Sequence, residues 1–182
     1  MRRNIGVLHP GAMGATVAQT LLDSGHSVGW VSSGRSEATA QRADGCRAFL
    51  SLDEIAGWAD ALISVCPPHG AVELAERVHA TGFTGLYIDG NALAPATSLN
   101  IAEVVGTGAY VDGGIIGPPA TKAGTTRLYL SGQHAAGVAA WFSAGALQVI
   151  ALPFDESDQP DQQVAASMLK MSYAAYSKGA SA

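Results

Sequence analysis

The first thirty-five residues restrict the fold more than any other stretch of this 182-residue chain. Ile5 to Leu8 is a short apolar run, and His9-Pro10-Gly11-Ala12-Met13-Gly14 is a turn of small residues. Ala15 to Asp23 then reads as an amphipathic helix stopping at Ser24-Gly25, and His26 to Val31 is a second apolar run. Strand, glycine turn, helix and strand in that order set a helix N-terminus against the carboxyl end of a strand. Unpaired N–H groups gather there and the helix dipole adds about half a positive charge, so a pyrophosphate is held at such a point. Gly11 removes a side chain where the phosphate must approach, and Gly14 lets the helix pack closely on the strand. In the spacing G-x-G-x-x-G the first glycine position falls on His9, so the turn either avoids a positive φ or strains to reach one. The competing reading is an ordinary tight turn in an α/β protein. The strand before it and the helix after it favour a dinucleotide site, with Gly11, Ala12, Met13 and Gly14 around the phosphates and His9 a turn residue rather than a catalytic one.

The end of the second strand bears on which dinucleotide. An NAD site places a carboxylate about 20 residues past the glycines for the ribose hydroxyls, whereas an NADP site offers hydroxyls and an arginine for the 2'-phosphate. Here the strand runs into Ser32-Ser33-Gly34-Arg35-Ser36, and the first acid is Glu37. A guanidinium grips a phosphate monoester through two parallel hydrogen bonds. Ser32, Ser33 and Arg35 therefore favour NADP over NAD, against the plainer view of Arg35 as a solvated loop charge.

Farther along, Ser36 to Ala43 is helix-like, Cys46 to Phe49 a short strand, and Ser51 to Trp58 a helix opening with the capping-box spacing S-x-x-E. Ala61 to Val65 is the next strand, and it ends in Cys66-Pro67-Pro68-His69. The prolines drive the chain off the sheet at its carboxyl edge, where ligands of open α/β sheets collect, so Cys66 and Pro67 join the cofactor candidates. As a nucleophile and base, Cys66 and His69 have no oxyanion donor in view; a packed cysteine and a surface histidine is the better reading. Pro68 to Ala80 forms a helix with Glu73, Glu76 and Arg77 on its wet side. Leu86 to Asp89 is a strand, Pro95 to Val105 a helix, and Asn91 between them can reach a nicotinamide or ribose group or simply cap that helix. Tyr110 to Ile115, Arg127 to Leu130 and Leu147 to Leu152 complete eight strands, with Gln133 to Ala144 helical.

Strands alternating with helices predict a doubly wound, mostly parallel sheet of about eight strands. The 48% apolar and 14% charged composition suits strands buried on both faces. A net charge of -5 without a basic cluster argues against nucleic acid. Without a membrane-length apolar run or a signal-peptide core before Gly11, the expected setting is the cytoplasm. Two cysteines without C-x-x-C spacing give neither a disulfide framework nor a zinc site. From Pro160 a last helix continues through Gln163 to Lys178, with Val164, Met168, Leu169, Met171, Ala175 and Tyr176 covering more than one face. Such a surface calls for a further domain or a second copy of the chain, and a homodimer through this helix is expected.

With these residues collected, the sequence resembles the 6-phosphogluconate and 3-hydroxyisobutyrate dehydrogenase (β-hydroxyacid dehydrogenase) superfamily, closest to its phosphogluconate-dehydrogenase-like members of unassigned substrate. Gly11-Ala12-Met13-Gly14 resembles the end of the family's G-L-G-x-M-G loop, and Ser32 to Arg35 lies where relatives carry an Asn-Arg pair for NADP. Asp89-Gly90-Asn91 with Pro95-Ala96-Thr97-Ser98 is similar to its D-x-S-x-x-x-P-x-T-S segment, and Asp112 to Gly117 to its substrate loop D-A-P-V-S-G. The resemblance implies a Rossmann-type domain over 1–157 and an interdomain helix over 158–182 that would lead into a helical C-terminal domain. It implies reversible hydride transfer between NADP and a small molecule's hydroxyl-bearing carbon, Lys170 as the catalytic lysine, and Gly113, Gly114, Ile116 and Gly117 as substrate residues. A solvated lysine has a pKa near 10.4, so Lys170 would have to be desolvated or set beside another cation to act as a base. The family serine and asparagine fall on Ile116 and Ala174. Neither can bond a carboxylate or hydroxyl, which shifts the expected substrate toward a larger, less polar carbonyl or imine. A non-catalytic NADP-binding or sensor module is the other reading.

Overall fold

The computed structural model describes residues 1–154 and 160–179. A single eight-stranded sheet is built from β1 (Asn4–Leu8), β2 (Ser27–Val31), β3 (Arg47–Phe49), β4 (Ala61–Ser64), β5 (Leu86–Asp89), β6 (Tyr110–Ile116), β7 (Arg127–Ser131) and β8 (Gln148–Ala151), in the order β3-β2-β1-β4-β5-β6-β7-β8. Every pairing is parallel except β6 with β7. Strand order turns at β1 and β4, the point of a doubly wound sheet outside which ligands bind. The fold is therefore the Rossmann-type α/β sheet expected from the sequence. The expected boundary at 157–158 lies outside the described residues.

The helices are α1 (Ala12–Asp23), α2 (Glu37–Arg42), α3 (Leu52–Trp58), α4 (Ala71–Ala80), α5 (Pro95–Val105), α6 (Ala135–Ala139), α7 (Pro160–Gln163) and α8 (Ala165–Gly179). One apolar cluster joins Val17 and Leu21 of α1 and Val138 of α6 to Ile5, Val7, Ile63, Ile88 and Leu128 of the sheet. On the other face Ile55, Leu74, Val78 and Ile101 of α3, α4 and α5 pack on Leu62, Tyr87 and Tyr110. Burial of both faces explains the near-continuous apolar strands.

Local side-chain caps start α2 and α3, from Ser36 and Ser51. Ser51 Oγ accepts from Glu54 N at 3.1 Å, as the capping box requires, while the Glu54 carboxylate takes Leu50 N at 2.8 Å rather than that of Ser51. The first turn of the helix expected from Pro68 is a separate 3-10 turn, Pro68–Gly70. Gln133 to Ala144 does not form one helix. It shrinks to α6, because Trp141 turns into the core, under the Arg3 guanidinium and with its carbonyl 3.0 Å from His26 Nε2, and Gly145, at φ 89°, reverses the chain toward β8. The last helix also breaks, at Val164. The N–H of Ala166 is taken by Ser131 Oγ at 3.0 Å and that of Ser167 by Asp112 at 2.7 Å, so side chains from the sheet cap a fresh N-terminus there.

Candidate dinucleotide site

The turn between β1 and α1 reaches the strained alternative. His9 has φ 69°, the one non-glycine residue with positive φ among the described residues. Its carbonyl accepts from Gly11 N at 2.8 Å, and α1 starts at Ala12 rather than Ala15. Gly11 is the N-cap; no side chain caps the helix and no acid lies in its first turn. The N–H groups of Ala12, Met13 and Gly14 thus remain for an anion. A Cβ on Gly11 would meet nothing, whereas one on Gly14 would overlap the His9 carbonyl oxygen. The first glycine leaves space above the helix and the second allows α1 to close on the turn. Met13 contributes to the core beneath.

Beside this turn lies a hollow of about 320 Å³, walled by His9, Ser33, Arg35, Ser51, Asp53 and Arg77 over the apolar floor of Leu8, Val31, Leu52 and Leu74. Arg35 is aimed by a tight turn, its N–H on Ser32 O at 3.2 Å and Gly34 at φ 70°. Ser32 faces away: its hydroxyl and N–H both donate to Phe49 O, at 3.1 and 2.9 Å, so it binds β3 and Ser33 alone offers a free hydroxyl. The imidazole of His9 lines the hollow without closing it. Burial, then the Arg35 cation, lowers its pKa, with Arg77 adding to the effect, and Nδ1 has no partner. Arg77 escaped the sequence reading because its α4 position looked only like solvated surface.

Along the carboxyl edge, Asn91 is buried and spent. Its Oδ1 accepts from Cys66 N at 2.6 Å and its Nδ2 donates to Ser64 Oγ at 2.9 Å. It does not cap α5, whose N-cap is Ala94. The side chain ties the exits of β4 and β5 together and sets Cys66 and Pro67 at the rim. Cys66 is half-buried, Ser64 Oγ points at its Sγ, and burial raises the thiol pKa, while His69 is exposed. That is the packed cysteine and surface histidine expected.

Gly113 and Gly114 lie inside β6, buried, in register with Leu130 and Tyr129. A Cβ would come within 2.6 Å of Asp89 O at the first and 2.7 Å of Ala166 O at the second. They lie inside the strand expected over Tyr110 to Ile115 and are glycines of close packing, whereas the family resemblance made them substrate residues. Only Ile116, half-buried, and Gly117, exposed at φ 126°, reach the edge.

A buried polar clasp docks α8 there. The Asp112 carboxylate, fully buried, accepts from Ser98 Oγ (3.0 Å), Ser131 Oγ (3.2 Å), Ser167 N (2.7 Å) and Ser167 Oγ (2.6 Å). Its charge sits at the positive end of α8. One turn on, Lys170 lies over Gly114 and its Nζ donates to Ile115 O at 2.6 Å. Desolvation lowers its pKa. Asp89, beside Asp112 in register, receives Asn91 N on Oδ1 at 2.8 Å while Oδ2 has no partner, and the nearby hydroxyls of Tyr87 and Tyr110 have none. Burial, reinforced by Asp112, pushes the Asp89 carboxyl up to about 7. No metal-binding cluster of His, Cys, Asp or Glu occurs among the described residues, and none of their helices is long and apolar enough to cross a membrane.

No protein-family model and no curated protein matches the chain. Among solved structures, it is similar to MTH1747, a conserved protein of unknown function with structural similarity to 3-hydroxyacid dehydrogenases. That match has a TM-score of 0.79 at 25% identity, over 98% of this chain and 66% of that one. An imine reductase from Myxococcus stipitatus, in complex with NAD+, matches at TM-score 0.72 and 20% identity, over 99% and 62%. A reductive aminase from Aspergillus terreus, in complex with NADPH4, cyclohexanone and allyl amine, matches at 0.74 and 17%, over 98% and 62%. The chain thus spans about two thirds or less of the length of each.

Proposed function

We propose that this chain is the dinucleotide-binding part of an NADP-dependent oxidoreductase acting on a carbonyl, hydroxyl or imine of a small molecule. The observation that carries the reading is the uncapped N-terminus of α1 opening beside a hollow lined by Ser33 and Arg35, with no acid at the end of β2. An NADPH bound across the edge would supply a hydride. The N–H groups of Ala12, Met13 and Gly14 bind the pyrophosphate, and Ser33 and Arg35 hold the 2'-phosphate, which favours NADP over NAD. Cys66 and Pro67 border the nicotinamide end, and Asn91 fixes that border from below. Lys170, desolvated on α8, exchanges a proton with the substrate oxygen or nitrogen beside Ile116 and Gly117. The structures that bind NAD+ and NADPH on this fold support the cofactor class.

One observation favours a second reading, a non-catalytic NADP-binding module: Lys170 is already bonded to Ile115 O, and the neighbouring Ile116 offers no donor to a substrate. Met168, Leu169, Tyr173 and Tyr176, exposed along α8, support packing of this helix against a second copy of the chain. Isothermal titration with NADP and NAD tests the central claim. NADP binding in the micromolar range with weaker NAD binding is expected, and no NADP binding at millimolar concentration refutes it. A screen of NADPH oxidation over carbonyl and imine substrates then separates enzyme from binding module.

A further inference from the structure

The hollow beside the β1–α1 turn holds two guanidiniums from different parts of the chain. Arg35 projects from the β2–α2 turn and Arg77 from α4; both line the hollow with His9, and both bear on its imidazole. Neither guanidinium has a hydrogen bond or ion pair among the described residues. Asp53, on the rim, forms no ion pair with Arg77. With two guanidiniums and an imidazole whose Nδ1 is buried without a partner along its wall, the hollow presents donors and positive charge that suit an anion. The hydroxyl of Ser33 adds a neutral donor.

We propose that Arg77 is a second determinant of NADP specificity, closing on the 2'-phosphate from α4 while Arg35 holds it from the β2 turn. This rests on the NADP reading above and deepens it, since the motif-bearing segment contains only one of the two cations. The phosphate dianion is gripped between guanidiniums fixed to separate elements, so recognition depends on the spacing of α4 from β2 as well as on loop sequence. Arg77 is solvent-exposed in the free chain, and its replacement leaves the core untouched.

The test is titration of the parent, Arg77→Ala, Arg77→Glu and Arg35→Ala proteins with NADP, NAD, 2',5'-ADP and 5'-ADP, with thermal melting to check the fold. Loss of a charge-assisted bond predicts an Arg77→Ala affinity for NADP and 2',5'-ADP lower by on the order of ten- to a hundredfold. Arg77→Glu should be weaker still, and NAD and 5'-ADP should change by less than about twofold because they lack the group that Arg77 grips. Equal loss for phosphorylated and unphosphorylated ligands would make Arg77 an adenine-stacking residue and overturn the proposal. So would unchanged NADP affinity in Arg77→Ala alongside a loss in Arg35→Ala, which leaves the NADP reading standing. A parent protein that binds NAD as well as NADP, or neither, overturns both.

Discussion

Replacing Asp89 with asparagine should stabilise the protein, and more so as the pH rises. The carboxyl is buried, one oxygen has no partner, and Asp112 stands beside it in the sheet, so its folded pKa is about 7 against 3.8 when unfolded. Between those values the folded chain holds a proton that the unfolded chain has released. The unfolded state therefore binds fewer protons, and stability falls as pH climbs through the window. A gap of about 3 pH units at 1.36 kcal/mol each makes the full penalty about 4 kcal/mol above pH 7. Much of it is absent at pH 5, so about 2.5 kcal/mol develops between pH 5 and pH 8. An asparagine carbonyl still accepts from the Asn91 N–H and does not titrate. Urea unfolding of Asp89→Asn and parent at pH 5, 6, 7 and 8 gives the difference directly, with other titrating groups cancelling. The variant should gain about 2.5 kcal/mol on the parent across that range. A constant offset at every pH would refute the assignment of a neutral buried acid.

Other consequences are equally open to measurement. Gly14→Ala forces a methyl group against the His9 carbonyl, so it should cost about 1–3 kcal/mol in chemical denaturation and weaken dinucleotide binding in titration. Asp112→Ala leaves the Ser167 N–H and three serine hydroxyls without their acceptor; hydrogen exchange should show α8 fraying from its N-terminus, with a loss of about 2–4 kcal/mol, and Asp112→Asn a smaller effect. Lys170→Met should keep NADP affinity within about twofold while abolishing any NADPH oxidation found in a substrate screen, because the residue lies by the substrate edge rather than the phosphates. His9→Gly should relieve about 1–2 kcal/mol of backbone strain, visible as a higher melting temperature, at the expense of the imidazole wall of the hollow beside the β1–α1 turn.

What the sequence disclosed divides by the range of the interactions. The β1 turn, α1 and the Ser33-Gly34-Arg35 corner were legible because neighbours in the chain produce them: a glycine N-cap, an apolar run, a tight turn. The break at Val164 was not, since its cause is two side chains, Ser131 and Asp112, that arrive from distant strands. That Gly113 and Gly114 are demanded by packing was hidden for the same reason, because the Asp89 and Ala166 carbonyls that forbid a side chain are invisible in a linear text. Asn91 lies at the right edge, yet its amide faces Cys66 and Ser64 rather than outward. Arg77 was hidden by a helix pattern that marks a position as wet without saying what else the water-filled space could hold.

The reversal between β6 and β7 has a geometrical outcome for the chemistry. Because β7 and β8 descend while the other six strands ascend, the chain leaves β8 at the foot of the sheet, away from the carboxyl ends of those six. The final helix must therefore travel upward along β6, starting at Asp112 and passing Gly114 before its lysine meets the Ile115 carbonyl. A wholly ascending sheet would have released that helix at the summit and sent it back down. One inverted strand pair thus makes the last described helix a ramp that lifts an ammonium group toward the carboxyl rim of the sheet.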